Sequence, residues 1–179
     1  DFNANDYAKY AEALNKNGAD STAIEVLAAA VQKLPEEPAL WDQYSIALTN
    51  AKNYPAAADA YAKFISLTEK PSPAEYATAA GYYLNVAVGY QKEGKAAEAR
   101  AAADKGLEMM DKTLATAEPI PLLYQRKAHL HRIGNNDVVD DATLAAYDKM
   151  LELLNADPAN LQKPNALNMY RECYYTLNK

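Results

Sequence analysis

A single cysteine, Cys173, leaves the chain without an intramolecular disulfide. Set among Tyr170, Tyr174 and Tyr175, with no histidine nearby in sequence, it reads as a small buried hydrophobe and not as a nucleophile. Two histidines, His129 and His131, are all the imidazole there is. Two positions apart on a helix, they project about 200° from one another and cannot grip one metal ion. Basic residues are too few for a nucleic-acid partner: the formal net charge is −6, and such a partner requires a positive footprint. No apolar run approaches the roughly 18 residues of a membrane-spanning helix. There is no glycine-rich phosphate loop and no strand to precede one. The turn from Asn135 to Asp141 is acidic, but it lacks the central glycine and closing glutamate of a helix–loop–helix calcium site, so it reads as a solvated, cap-forming turn. β-Branched runs are short as well, which argues against strands. No catalytic set, metal site or cofactor site emerges from these residues.

What is present is helix-forming sequence with a period. Half of the 179 residues are hydrophobic, too many for a disordered chain. Ala, Leu, Glu and Lys dominate. The stretch from Tyr7 to Pro71 holds two helical hairpins with one internal order. An offset of 34 residues carries Tyr7 onto Trp41, Tyr10 onto Tyr44, Leu14 onto Leu48, Ala23 onto Ala57 and Leu27 onto Tyr61. Two helices per period of this length mark a stacked array of hairpins. Tyr7, Tyr10, Ala11 and Leu14 share one helix face. Small residues such as Ala11, Ala23 and Ala57 stand where helices approach closely, and Trp41 and Tyr61 fill space between hairpins.

At these residues the chain resembles the tetratricopeptide repeat (TPR) family. The first unit carries the pattern as Tyr7, Tyr10, Ala11, Leu14, Gly18, Ala23, Leu27, Ala30 and Pro35, and the second as Trp41, Tyr44, Ser45, Leu48, Ala57 and Tyr61. The second departs from it at Phe64, where a small residue is preferred, at Lys52, where glycine is preferred, and at Glu69, where the closing proline is delayed to Pro71. The resemblance implies an all-α, right-handed superhelical solenoid of stacked antiparallel hairpins in one elongated domain. Repeats are expected over about 4–35, 38–71, 73–117 and 119–158, with a C-terminal helix over 164–179. A truncated fifth repeat is the competing reading of that last piece.

Local signals place the elements. Helix one is expected from Asn3 to Asn17 with Gly18 as its stop, and Asp20 or Ser21 as the cap of helix two, which ends near Leu34 before Pro35. Helix three runs from Pro38 to about Ala51, and helix four follows Tyr54, with Pro55 in its first turn. Ser72-Pro73-Ala74-Glu75 is a capping box with proline at the first helical position. The helix it opens reaches about Glu93, so the third unit carries eight residues more than the second (83 − 41 = 42, against 34). Its partner runs from Lys95 to about Ala117. Gly89 is expected at a close helix contact, and Tyr82 at an exposed position. Most of the fourteen tyrosines fall at core spacing, so packing is their default role. Glu118-Pro119-Ile120-Pro121 breaks the chain before the fourth unit. There the helix from Ala142 to Asn155 turns Leu144, Tyr147, Met150, Leu151 and Leu154 inward, and Asp157-Pro158 closes it. In the final helix Leu167, Tyr170, Tyr174 and Leu177 share the inner face, with Arg171, Glu172 and Asn178 outside.

The resemblance implies a concave groove lined by the first helix of each hairpin. Its residues would be Ala8, Glu12, Asn15 and Lys16; Asp42, Ile46, Thr49 and Asn50; Leu84, Val88, Gln91 and Lys92; and Gln125, His129 and Arg132. Amides among them suit the backbone of an extended peptide, and Ile46, Leu84 and Val88 suit its apolar side chains. The alternative is a solvated surface, or one covered by the chain's own ends. Family members that bind chaperones clamp a C-terminal carboxylate with Lys, Asn and Arg. Here Ala8, Glu12, Gln43, Gly81 and Asn85 stand in those places, and Glu12 would repel a carboxylate. Acidic C-terminal tails are therefore not expected as ligands. The implied function is a non-catalytic scaffold that binds a protein or peptide. Self-association through the end near Tyr170 to Tyr175, or a role as the repeat portion of a longer polypeptide with an enzyme domain, are the other readings. The start at Asp1, without Met, fits either a shortened chain or a mature exported protein, periplasmic or at the cell surface, whose leader is gone; the missing Met inclines toward export over the cytoplasm.

Overall fold

The computed structural model describes residues 2–177. Asp1, Asn178 and Lys179 lie outside the described residues, and with them the outward position expected of Asn178. Ten α-helices and no strand make up the described chain: α1 Ala4–Lys16, α2 Asp20–Lys33, α3 Pro38–Asn50, α4 Tyr54–Leu67, α5 Pro73–Lys92, α6 Ala96–Leu114, α7 Pro121–Gly134, α8 Asp141–Ala156, α9 Pro158–Leu161 and α10 Ala166–Leu177. Both helices of the second hairpin begin and end 34 residues after those of the first (38 − 4, 50 − 16, 54 − 20 and 67 − 33). Contacts divide the chain into two compact units after Glu75.

In unit 1, α1 packs on α2, and α3 packs on α1, α2 and α4. The core is Ala11, Ala23, Leu27, Ala30, Val31, Leu40 and Ala47, with Tyr7, Trp41 and Tyr44 packed against it. Ala11, Ala23 and Ala57 are completely buried, as close helix approach requires. Trp41 fills space at the start of α3, and its indole N–H donates to the Pro35 carbonyl at 2.8 Å. Tyr10 departs from expectation, being 49% exposed. Its equivalent, Tyr44, packs on the α1–α2 core, whereas no described helix precedes α1 to cover Tyr10. Asn3 caps α1 in a reciprocal capping box with Asp6. α2 does not use Asp20 or Ser21 as its cap: Ala19 occupies that position without a side-chain bond, and Asp20 is already helical.

In unit 2, α6 packs on α7, α7 on α8, and α8 on α9 and α10. The long pair is present: α5 has 20 residues and α6 has 19, against 13 and 14 in the hairpins of unit 1. The capping box forms, with Ser72 N–H donating to the Glu75 carboxylate at 2.6 Å and Glu75 N–H to the Ser72 hydroxyl at 3.3 Å. The close contact expected at Gly89 is absent, since a Cβ there meets nothing within 4 Å. Gly106 makes it instead: a Cβ there would stand 2.6 Å from a Leu130 methyl of α7 and 3.3 Å from Tyr83 of α5. Tyr82, expected to be exposed, is half-buried.

The inward stripe of α8 is Thr143, Ala146, Tyr147, Met150 and Leu154. Leu144 lies one residue off that stripe and is on the outer side, 36% exposed. Asp157 does more than close α8: it caps the short α9 by accepting from the Ala159 N–H. The inner face of α10 is also one residue from the expected one. Ala166, Met169 and Cys173 are buried, while Leu167 and Tyr174 are 59% and 65% exposed. Both sets follow helical spacing, but the chosen one puts a small residue and a thiol against α8 and leaves Tyr170 at the edge, where its hydroxyl donates to Asn155. Burial lifts the Cys173 thiol to about 11, which keeps it protonated and inert at neutral pH.

One turn recurs four times. After α1, α3, α5 and α7 the chain closes with the same pair of bonds: Gly18 N–H to Asn15 C=O with Ala19 N–H to Leu14 C=O, then Lys52 to Thr49 with Asn53 to Leu48, Gly94 to Gln91 with Lys95 to Tyr90, and Asn136 to Ile133 with Asp137 to Arg132. This is the Schellman ending, which requires a left-handed residue just past the helix. Gly18 and Gly94 supply it at φ +71° and +73°, and Lys52 must adopt it at φ +61°. A side chain in that conformation costs about 1 kcal/mol. Lys52→Gly is therefore expected to stabilise the protein by about 1 kcal/mol and raise its melting temperature by roughly 2–4 °C for a chain of this size. Thermal unfolding followed by circular dichroism checks this; a lower melting temperature would contradict it.

Candidate functional site

The residues expected to line a groove come from the first helix of each hairpin. The structure treats the two units differently. In unit 1, Glu12 and Lys16 neutralise each other at 2.6 Å, both well exposed. Thr49 is occupied with its own helix, its hydroxyl donating to the Ser45 carbonyl at 2.7 Å. Asn50 Nδ2 donates to Asp20 of α2 at 3.1 Å. Three residues are not engaged in this way. Both polar atoms of the Asn15 carboxamide are shut off from solvent without a hydrogen-bond partner in the protein. Asp42 is half-buried, and among the described residues its carboxylate meets no cation and no donor. Burial, and secondarily the Glu75 carboxylate, push its pKa above the ordinary aspartate value. Ile46, one turn further along α3, is 36% exposed.

In unit 2 the polar residues Gln91, Gln125, His129 and Arg132 are bonded to other parts of the chain. Gln91 Nε2 and Arg132 Nε both donate to Asp137 of the turn after α7, at 2.8 and 3.1 Å. Gln125 Nε2 donates to Glu172 of α10 at 2.7 Å, and His129 Nε2 meets the other oxygen of the same carboxylate. The Tyr147 hydroxyl of α8 donates to that second oxygen at 2.5 Å, and Arg132 also reaches the Thr176 hydroxyl of α10 at 3.5 Å. Leu84 and Val88 are half-buried, and Lys92 is exposed. Here, then, Gln125, His129 and Arg132 are bonded to the C-terminal helix α10.

Glu172, expected on the polar outer side of α10, thus points inward and ties α10 to α7 and α8. Burial alone would raise its pKa; the bonds from His129, Tyr147 and Gln125 overcome that and hold it down at about 2. The same burial and the adjacent carboxylate push the Tyr147 hydroxyl well above its ordinary value. The signal for this role was indirect: Glu172 borders Cys173 on the edge of the stripe that is buried. His131 addresses other neighbours, Lys127 and the α8 alanines Ala142, Ala145 and Ala146, and burial lowers its pKa. A carboxyl depressed from 4.5 to about 2 adds stability that is fully present above the unfolded value and is lost as pH falls through the folded one. Glu172→Gln is accordingly expected to lower stability by about 1–3 kcal/mol at pH 6, and the difference from the parent protein should close between about pH 4.5 and 2. Melting temperatures measured across that range check this; a gap that persists at the acid end would contradict it.

Among the described residues no three His, Cys, Asp or Glu side chains converge as metal ligands would, and no helix is long and apolar enough to cross a membrane. Neither a protein-family model nor a curated protein matches the sequence. Among solved structures, the C-terminal part of a TPR repeat-containing protein from Cytophaga hutchinsonii is similar over 96% of this chain and 89% of that one, at 16% identity and a TM-score of 0.36. At that score the likeness carries no weight of its own; the reading of the fold rests on the helices and turns described above.

Proposed function

We propose that this chain is a non-catalytic scaffold of TPR-like helical hairpins and that it holds an extended peptide or protein segment on the face carried by α1 and α3. The supporting observation is Asn15. A carboxamide carries two donors and two acceptor sites, and leaving such a group buried and unbonded costs about 1–3 kcal/mol. Both atoms are closed to solvent, so a peptide backbone, which presents a donor and an acceptor together, satisfies the amide only once the side chains covering it move aside. Ile46 of α3 is exposed and offers an apolar contact.

The experiment is a paired measurement on Asn15→Leu. Removing an unsatisfied amide in favour of an apolar side chain of similar size is expected to stabilise the protein by about 1–2 kcal/mol. The same change should remove partner capture from the native host's lysate by immobilised protein, as should Ile46→Asp. A stabilised Asn15→Leu protein that still captures every partner of the parent would sink the proposal.

A second reading has its own observation. Leu167, Tyr174 and Tyr175 of α10 are 59%, 65% and 67% exposed, apolar surface of the kind that serves self-association. Sedimentation velocity over a wide concentration range separates the two readings: a strict monomer removes the second and leaves the first untouched.

A further inference from the structure

We infer, building on the peptide-binding reading of the same face, that the α1/α3 face takes a partner segment bearing lysine or arginine, with one cationic side chain meeting Asp42 and an apolar neighbour resting on Ile46. Charge is the first reason. Residues 1–75 contain eleven Asp and Glu against six Lys and no Arg, an excess of five negative charges out of the six on the whole chain. Much of that charge is matched or used locally. Glu12 pairs with Lys16 and Glu36 with Lys63; Asp6 and Glu75 close capping boxes; Asp20 accepts from Asn50. Asp42 is different, because it is half-buried on the binding face with no cation against it and Glu75 as its charged neighbour. A buried carboxylate in that position is relieved by an arriving cation, and the same field repels an anion.

Spacing is the second reason. Asp42 and Ile46 are one turn apart on α3, about 6 Å along its axis. Residues i and i+2 on one side of an extended chain are separated by roughly the same distance. A segment lying along α3 with a cation and an apolar residue at i and i+2 therefore addresses both at once.

The test uses a labelled extended peptide that repeats the unit Lys-Ser-Leu-Ser, with analogues carrying glutamine or glutamate in place of lysine. Binding to the whole chain is read by fluorescence anisotropy at low and moderate salt. The lysine peptide is expected to bind at least about tenfold more tightly than the glutamine peptide, with the glutamate peptide weakest. Asp42→Asn, checked for folding by circular dichroism, should bring the lysine peptide to the level of the glutamine one. Asp59→Asn, a change at an exposed carboxylate of α4, should leave it unchanged. Equal binding of lysine and glutamine peptides overturns the cationic preference while sparing the peptide-binding reading. Equal losses from Asp42→Asn and Asp59→Asn mean diffuse attraction and overturn the assignment to Asp42. Binding of none of the three peptides overturns both.

Discussion

Tyr147→Ala is expected to destabilise unit 2 by about 3–5 kcal/mol, the cost of deleting a large side chain from a packed core. Tyr147 is completely buried and lies in one cluster with Ala128, Met150, Leu154, Met169 and Cys173. Its hydroxyl is also one of three groups that hold Glu172 in place. The loss therefore has a packing part and a hydrogen-bond part. Tyr147→Phe isolates the second, with an expected cost of about 1–2 kcal/mol. Urea unfolding followed by circular dichroism gives both values. A Tyr147→Ala variant within 1 kcal/mol of the parent would mean that α10 is not docked on α8 as described; this threshold is about a fifth to a third of the expected cost.

Gly106→Leu has the second largest expected effect, about 3 kcal/mol of overpacking. The Cβ alone would stand 2.6 Å from one Leu130 methyl and 3.2 Å from the other, and Leu130 is itself completely buried, so its side chain has little space to retreat into. Gly106→Ala sets that clash against roughly 1 kcal/mol of helix propensity and should come out close to neutral or mildly destabilising. Gly89→Ala, where a Cβ meets nothing, should instead stabilise by about 0.5–1 kcal/mol. The contrast between two helical glycines in one unit is the check. Equal effects at both positions would contradict the packing of α6 between α5 and α7.

These two glycines also mark where sequence reading stops. Each stands in an alanine-rich helical stretch, and nothing local tells which one faces another helix; the clash at Gly106 comes from Leu130, 24 residues away (130 − 106). The helices themselves were legible because their determinants are local: a 34-residue period, Gly18 and Gly94 at left-handed positions, and the Ser72–Glu75 capping box. Lys52 shows the strength of that grammar, since it adopts the glycine conformation of the turn without being glycine. The inner face of α10 lies one residue from the one that spacing predicts, because 166, 169, 173 and 167, 170, 174 fit a helix equally well and only packing against α8 selects between them. Leu144 differs from expectation for the same reason.

The candidate site was legible to the same depth. Sequence position put Asn15, Asp42 and Ile46 on the first-helix face, but not the buried state of the Asn15 amide or the absence of a partner for Asp42. It also put Gln125, His129 and Arg132 there, and long-range contacts then covered them: Glu172 lies 47 residues from Gln125 and 43 from His129. A charged residue at the edge of a helical stripe can face either solvent or a neighbour, and a nearby set of donors decides which. In unit 2, Gln91, Gln125, His129 and Arg132 fasten α10 or the Asp137 turn, while in unit 1 Asn15 and Asp42 retain unmet polar groups.

Backbone amide chemical-shift mapping of the whole chain on titration with the Lys-Ser-Leu-Ser peptide shows which face carries the peptide. The largest shifts are expected on α1 and α3, centred on Asn15, Asp42 and Ile46, and their loss is expected in Ile46→Asp. Shifts confined to α2 and α4, or to the exposed side of α10 at Leu167, Tyr174 and Tyr175, would contradict this.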